Sequence, residues 1–220
     1  MTDDAVDQDR GPVRFAASAP QSIEMAAEMI HRGGVVAIPT DTVYGIAAST
    51  LRIEALERIY AIKHRDRSKP IPLLVSSMEA LERAVLSVDP DIALLLDRFW
   101  PGALTMAFPA PNGTPKPLLA EDGTVGVRMP NHRLALELIE RSGGIVACTS
   151  ANISGSDPAT SADDVQAALG DLLDGIVDGG RALGGVPSTV AGIVGGELVI
   201  YREASIPAVD LLSAWREIRA

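Results

Sequence analysis

The sequence has few of the residues on which covalent cross-links and metal centres are built. Its 220 residues include one cysteine, Cys148, and three histidines, His31, His64 and His132. One cysteine excludes an intrachain disulfide framework and a cysteine-based zinc site, and the histidines do not have metal-ligand spacing. A chain without disulfides is typical of a reducing compartment, so we expect a cytoplasmic location.

Long apolar runs and the common catalytic motifs are also missing. No run of about 18 uncharged apolar residues occurs, which excludes a membrane-spanning helix. The first ten residues contain four aspartates and no apolar stretch, unlike a secretory signal. There is no P-loop, no G-x-G-x-x-G after a predicted strand and no G-x-S-x-G turn around a nucleophilic serine. The usual catalytic signatures are therefore mostly absent.

Lysine is scarce, and most of it is clustered. The net charge is −10, which argues against a protein that coats nucleic acid through its overall field. Sixteen of the nineteen basic residues are arginines, and two of the three lysines, Lys63 and Lys69, lie in the segment 63–69 with Arg65 and Arg67. This basic island indicates a small anionic ligand. The alternative is a solvated helix end, where cations are also favoured.

The apolar pattern predicts one α/β domain. Residues 1–14 are acidic and aperiodic, which predicts a disordered tail, and residues 15–220 form the domain. Strands alternate with helices as far as about residue 178 and hairpin-linked strands follow, as in a mixed sheet. Strands are predicted at about 35–38, 71–75, 104–108, 125–129, 145–148, 175–178, 189–194 and 197–201. Helices are predicted at about 23–30, 53–60, 90–99, 131–143 and 161–169, with caps at Asp89, Asn131 and Ser161.

Small polar residues and cations follow the ends of several apolar segments, where open α/β sheets bind ligands. Each segment taken alone has an ordinary alternative: a turn, or an ion pair of Arg128 or Arg202 with a neighbouring acid. Together, with no catalytic base or metal cluster, they predict a pocket that binds and aligns anions. The segments are 38–45, the basic island, 123–130, 149–155, 187–190 and 201–203.

Six motifs in order resemble the YrdC-like family of threonylcarbamoyl-AMP synthases, in its single-domain TsaC-type form. They are PTDTVYG at 39–45, Lys63-x-Arg65, FWPGALT at 99–105, VRMP at 127–130, SANISG at 150–155 and PSTV at 187–190. The resemblance runs from about residue 20 to residue 206. It implies a twisted open mixed sheet with flanking helices and a large positively charged cavity. The chain ends before the extra C-terminal domain of some members, so we expect the short form.

The resemblance also implies an activity. L-threonine, bicarbonate (or CO2) and ATP, with Mg2+, would give threonylcarbamoyl-AMP and pyrophosphate. A tRNA-modifying transferase complex would then place the threonylcarbamoyl group on the adenosine next to the anticodon. The expected partners are these substrates and that complex, with a weak contact to tRNA and none to a membrane.

Site residues follow from the resemblance position by position. Lys63 and Arg65 match the catalytic residues that hold phosphate charge. Neither Asp41 nor His64 is assigned as a base for the threonine amine. The positions that match ATP contacts are Lys63, Arg65, Lys69, Thr124, Ser150, Asn152 and Arg202. The positions that match threonine contacts are Thr40, Thr42, Arg128, Cys148 and Ser188.

Two other functions remain open at this stage. The same cavity would suit a non-catalytic RNA-binding module in tRNA or ribosome maturation, although eight aromatic residues offer few stacking surfaces. A carbamoyl-adenylate enzyme of metallocentre assembly would share the adenylation chemistry, but 220 residues leave no room for the further domains of such enzymes. The synthase ranks above both.

Overall fold

A computed structural model describes residues 11–19 and 21–220, which form a ten-stranded mixed sheet with helices on both faces. The strand order is β1-β8-β2-β3-β7-β4-β6-β5-β9-β10, with parallel and antiparallel neighbours. The strands are β1 (Val13–Ala16), β2 (Val36–Ile38), β3 (Gly45–Ser49), β4 (Leu73–Val75), β5 (Leu104–Pro109), β6 (Thr124–Arg128), β7 (Ile145–Ser150), β8 (Gly175–Asp178), β9 (Thr189–Val194) and β10 (Glu197–Arg202). The predicted fold class is confirmed.

The helices cover the two faces unequally. On one face, α1 and α5 pack against each other and over β8, β3, β7 and β4, so that they bury only part of the sheet. The main hydrophobic cluster lies on the opposite face, beneath the other helices. The helices are α1 (Ser22–His31), α2 (Ile53–Lys63), α3 (Met78–Ala84), α4 (Pro90–Phe99), α5 (Arg133–Arg141), α6 (Ala162–Leu169) and α7 (Ala208–Ile218).

Alternation along the strands explains the open part of the first face. In β5, Leu104, Met106 and Phe108 are fully buried in the main core, whereas Thr105 and Ala107 point to the other side. Strand register places Ala107 beside Gly126 of β6, so small side chains lie together. In this half of the sheet, one face is therefore packed against the core. The other, called here the shallow face, carries small side chains that leave space above the strands.

Local signals determine several element ends as predicted. The Asp89 side chain accepts from the Asp91 N–H before Pro90 begins α4, and Ser161 with Asp164 forms a reciprocal capping box at α6. Gly195 and Gly196, both with positive φ, turn the β9–β10 hairpin.

Some local predictions were wrong. Val13 and Arg14, assigned to the tail, begin β1, because Val13 pairs in parallel with Gly175 and Arg14 forms ion pairs with Asp163 and Asp178. The rest of the predicted tail, residues 1–10, lies outside the described residues. Strand β3 and helices α3 and α7 were not predicted.

The cap of α5 was also misplaced by one residue. His132, not Asn131, is its N-cap, and the His132 Nδ1 accepts the Ala135 N–H at 3.4 Å. Within residues 11–19 and 21–220, no helix is long and apolar enough to cross a membrane.

Candidate active site

A cavity of about 680 Å³ occupies the shallow face of the sheet, where α1 and α5 do not cover it. Each of the six polar segments singled out in the sequence contributes to its wall. They contribute Thr40, Thr42, Val43, Tyr44, Gly45, Arg65, Ser68, Thr124, Gly126, Arg128, Thr149, Ser150, Pro187, Ser188, Val190, Tyr201 and Arg202. The predicted pocket is therefore present, and segments far apart in the chain meet in it.

Glycine keeps the cavity floor open at the junction of β3 and β7. A Cβ on Gly45 would lie 2.5 Å from the Cys148 Sγ and 3.2 Å from the Thr149 carbonyl oxygen. The Cys148 thiol lines the cavity, but its burial raises its pKa to about 12, so it stays protonated. A thiol with so high a pKa does not suit a nucleophile.

One end of the cavity is organised by Arg128. Its Nε donates to the Gly102 carbonyl at 2.8 Å, its Nη1 donates to the Thr42 hydroxyl at 2.9 Å, and its Nη2 pairs with Asp41. Burial lowers the pKa of this guanidinium, and Asp41 opposes that effect. Three of its five N–H donors are thus occupied, and one on each terminal nitrogen has no partner among the described residues.

Hydroxyl groups continue from Arg128 in a directional chain. The Thr40 hydroxyl donates to the Val43 carbonyl at 2.7 Å, so the Thr42 hydroxyl donates to Thr40 across 2.9 Å. Because Thr42 also accepts from Arg128, both threonine hydroxyls have determined orientations. The suggestion that Arg128 pairs with a neighbouring acid is therefore correct, and the free donors remain beside it.

Two further guanidiniums line the cavity without a carboxylate partner among the described residues. Arg65 donates to the Lys69 and Pro70 carbonyls at 3.0 and 2.9 Å, and Arg202 donates to the Ser188 carbonyl at 2.7 Å. Burial lowers the pKa of both, and the nearby Arg202 charge lowers that of Arg65 further. Like charges held together in this way are relieved by a bound anion.

Lys63 does not line this cavity. Its side chain is 1% exposed, and its ammonium donates to the Ser150 carbonyl, the Asn152 carbonyl and the Asn152 Oδ1. His64 between the two cations has a left-handed φ of 49°, which sends Lys63 towards the turn and Arg65 towards the cavity. The structure therefore separates the two predicted catalytic residues.

The Ser-x-Asn turn is internally bonded. The Ser150 hydroxyl donates to the Asn152 Oδ1 at 2.6 Å, and the Asn152 Nδ2 donates to the Ile153 and Ser156 carbonyls at 3.0 and 2.6 Å. Ser150 lines the cavity, whereas Asn152 is buried behind it. Asn152 is thus placed to shape the turn that presents Ser150.

The other predicted residues lie in different surroundings. Ser188 lines the cavity, 2.8 Å from the Thr105 hydroxyl, and Thr124 lines it while donating to Asp122 at 2.6 Å. Lys69 is exposed and outside the lining, although Ser68 and Pro70 on either side of it belong to the wall.

Sequence reasoning missed several wall residues. Thr105 follows the alternation of β5, which was available in the sequence, whereas Glu121 and Asp122 lie in a loop before β6 with no periodic signal.

Comparison with known proteins gives concordant similarities. The family model for Sua5, YciO and YrdC proteins, described as Telomere recombination, matches residues 28–204. A protein of Pyrococcus abyssi named threonylcarbamoyl-AMP synthase is 38% identical over 197 residues, 90% of this chain and 58% of that protein. A Bacillus subtilis protein of the same name is 38% identical over 185 residues, 84% of this chain and 54% of that protein.

A solved structure agrees with these matches. P. abyssi Sua5 complexed with L-threonine superposes with a TM-score of 0.86 at 35% identity, covering 92% of this chain and 60% of that one. The chain thus spans a little over half the length of these relatives.

Proposed function

The chain belongs to the Sua5, YciO and YrdC family, and we propose on that premise that it synthesises threonylcarbamoyl-AMP from L-threonine, bicarbonate (or CO2) and ATP. The observation that carries the proposal is the charge arrangement of the cavity. Arg128 with two free donors occupies one end, and Arg65 and Arg202 without acid partners among the described residues line the rest. Such a cavity suits two anions, an amino-acid carboxylate and a polyphosphate.

In this proposal the Arg128 end binds threonine. The two remaining N–H donors of Arg128 would hold the α-carboxylate, since guanidinium and carboxylate match in planar geometry. The lined-up hydroxyls of Thr40 and Thr42 and the Ser188 hydroxyl would contact the polar groups of the amino acid. The P. abyssi relative that binds L-threonine supports this choice of substrate.

Arg65 and Arg202 would neutralise the phosphates of ATP. Lys63 would act indirectly, by holding the carbonyls of the turn from Ser150 to Asn152 that places Ser150 in the cavity wall. The Ser150 hydroxyl, which donates to the Asn152 Oδ1 in this structure, would rotate to donate to a phosphate oxygen. Lys69, outside the wall, would reach ATP only by a change in the basic island.

Magnesium would enter as the ATP complex. The described residues contain no group of three or more His, Cys, Asp or Glu that could hold a metal, so phosphate oxygens and water would supply most of its ligands. This donor set fits the cavity, whose wall includes the oxygens of Thr149, Ser150 and Asp122. The ion would neutralise charge on the polyphosphate.

The chemistry requires alignment rather than a protein nucleophile. The threonine amine adds to CO2, supplied by bicarbonate with loss of water, and releases a proton to give a carbamate. A carbamate oxygen then attacks the α-phosphorus of ATP, the bond to the bridging oxygen breaks, and pyrophosphate leaves. Positioned cations that stabilise negative charge are the main means of accelerating such a step.

We infer that the adenylate is consumed by another protein. It is a mixed anhydride, so a group-transfer enzyme that brings a nucleophile must use it before water does. By family resemblance that enzyme is the tRNA-modifying threonylcarbamoyl transferase complex, with the adenosine next to the anticodon as the acceptor.

Pyrophosphate release tests the proposal. The purified chain is incubated with MgATP, with threonine and bicarbonate each omitted in turn. Release that requires both supports carbamate-dependent adenylation. Absence of release under every condition, combined with RNA affinity that falls steeply with salt, would instead favour the RNA-binding module.

A further inference from the structure

Strand β10 is irregular where it meets the cavity. Ile200 pairs with Ala191 and Arg202 pairs with Val190, so Tyr201 is an extra residue in the ladder. In such a bulge two residues of one strand oppose one residue of its neighbour, and side chains are re-aimed. As a result the consecutive residues Tyr201 and Arg202 both line the cavity.

The Tyr201 ring lies against bare backbone. A Cβ on Gly192 of β9 would lie 2.8 Å from the Tyr201 Cε2 and 3.0 Å from its hydroxyl oxygen. Gly192 does not have a positive φ, so the space taken by the ring, rather than the backbone conformation, requires glycine there. Tyr201 is 49% exposed, so much of its side chain away from Gly192 is open.

Apolar side chains extend this surface. Ala107 and Val199 both pair with Gly192 and therefore share its face of the sheet, and Val199 is 36% exposed. Val190 lies on the same side and lines the cavity. An exposed aromatic ring that packs against glycine beside small apolar groups is suited to stacking a planar heteroaromatic ring.

We propose that Tyr201 is the stacking platform for the adenine of ATP. The assignment rests on the proposed function, since it takes ATP as the cavity's nucleotide. The bulge then allows two consecutive residues to contact the same nucleotide. Tyr201 presents its ring to the base, and Arg202 presents its guanidinium to a phosphate. Arg202 is held for that role by the Ser188 carbonyl.

Isothermal titration calorimetry with two ligands distinguishes the contribution of the adenine base to binding from that of the phosphates. MgATP contains both, whereas magnesium tripolyphosphate has the phosphates alone. Tyr201→Ala should weaken MgATP binding by roughly 5- to 150-fold, the range for loss of one base stack, and leave tripolyphosphate binding unchanged. Tyr201→Phe should restore MgATP binding, because it keeps the ring. Val209→Ala, which trims an exposed apolar residue of α7 outside the cavity wall, is the control.

A second variant tests the platform from the other side. Gly192→Ala displaces the Tyr201 ring. It should lower the affinity for MgATP and leave the affinity for tripolyphosphate unchanged. The assignment of Tyr201 would be overturned if Tyr201→Ala lowered the affinity for both ligands equally, or if this variant bound MgATP as tightly as the wild type. Selective loss of MgATP binding in a chain that does not turn over threonine and bicarbonate would keep Tyr201 and refute the proposed function. A wild-type chain that fails to bind MgATP would overturn both.

Discussion

The Lys63 ammonium donates hydrogen bonds to both carbonyls of Asn152, the main-chain oxygen at 2.7 Å and the side-chain Oδ1 at 3.0 Å. A third bond reaches the Ser150 carbonyl. One buried cation thus gathers three acceptors of the turn that presents the Ser150 hydroxyl to the cavity. In the proposed function Lys63 therefore supports the turn that lines the site.

Removal of this cation should damage stability and turnover together. Lys63→Met leaves buried carbonyls without a donor, so we expect unfolding free energy to fall by about 1–3 kcal/mol. Misplacement of the turn should lower turnover by about 100-fold. Urea denaturation and pyrophosphate release measure the two effects. Lys116→Met, at an exposed lysine outside the cavity, is the matched control, and a Lys63→Met variant with unchanged stability would contradict the account.

Lys63 should also titrate apart from the other lysines. Burial first, and the Arg65 charge second, lower its pKa from 10.5 to about 8. The unfolded chain therefore keeps this proton over a range in which the folded chain has lost it. Accordingly, the protonated Lys63 lowers the free energy of unfolding below about pH 8. Its contribution to the free energy of unfolding rises as the pH goes from about 8 to 10.5.

Lysine side-chain NMR can observe this directly, because the chain has only three lysines. One signal should titrate near pH 8 and should vanish in Lys63→Arg. If all three signals titrate together near the ordinary lysine pKa, the environment assigned to Lys63 is wrong.

Arg128→Lys should separate the two substrates kinetically. Lysine keeps the charge but loses the planar fork that meets Gly102, Thr42 and Asp41 at once and leaves donors for a carboxylate. We expect the KM for threonine to rise by roughly 10- to 100-fold, consistent with the loss of one charge-assisted hydrogen bond. The KM for ATP should stay close to that of the wild type. A rise in the KM for ATP alone would show that Arg128 belongs to the ATP subsite and would contradict its assignment to threonine.

Gly45 and Cys148 should show coupled stability effects. Gly45→Ala introduces a Cβ 2.5 Å from the Cys148 Sγ, and overpacking of this kind costs about 1–3 kcal/mol. Cys148→Ala removes the sulfur and should recover part of that cost in the double variant, whereas the Thr149 carbonyl, 3.2 Å away, limits the recovery. Unfolding free energies of the four proteins in a double-mutant cycle give the coupling. Strict additivity would show that the two groups do not meet.

Much of the fold and of the cavity wall was predictable because the signals are local. Alternation marked β5 and β6, and a charged Arg128 at the end of an apolar strand correctly indicated a polar face. The cap at Asp89 and the turn at Gly195 depend on neighbouring residues only.

The remaining features depend on contacts that no local pattern contains. Val13 was assigned to the tail because its partner, Gly175 in β8, lies far along the chain. Lys63 and Arg65 were grouped because they are two residues apart, yet the left-handed backbone at His64 directs them to different surroundings. Arg202 faces the cavity beside Tyr201 only because of a bulge, which strand periodicity does not predict.

We propose that this cavity joins threonine, the carbon of bicarbonate and AMP in one molecule. The most direct measurement is mass spectrometry of the adenylate formed from MgATP, L-threonine and ¹³C-bicarbonate. We expect threonylcarbamoyl-AMP that contains the labelled carbon, formed together with pyrophosphate and absent when threonine is left out. Pyrophosphate release without a labelled adenylate, or no adenylate at all, would contradict it.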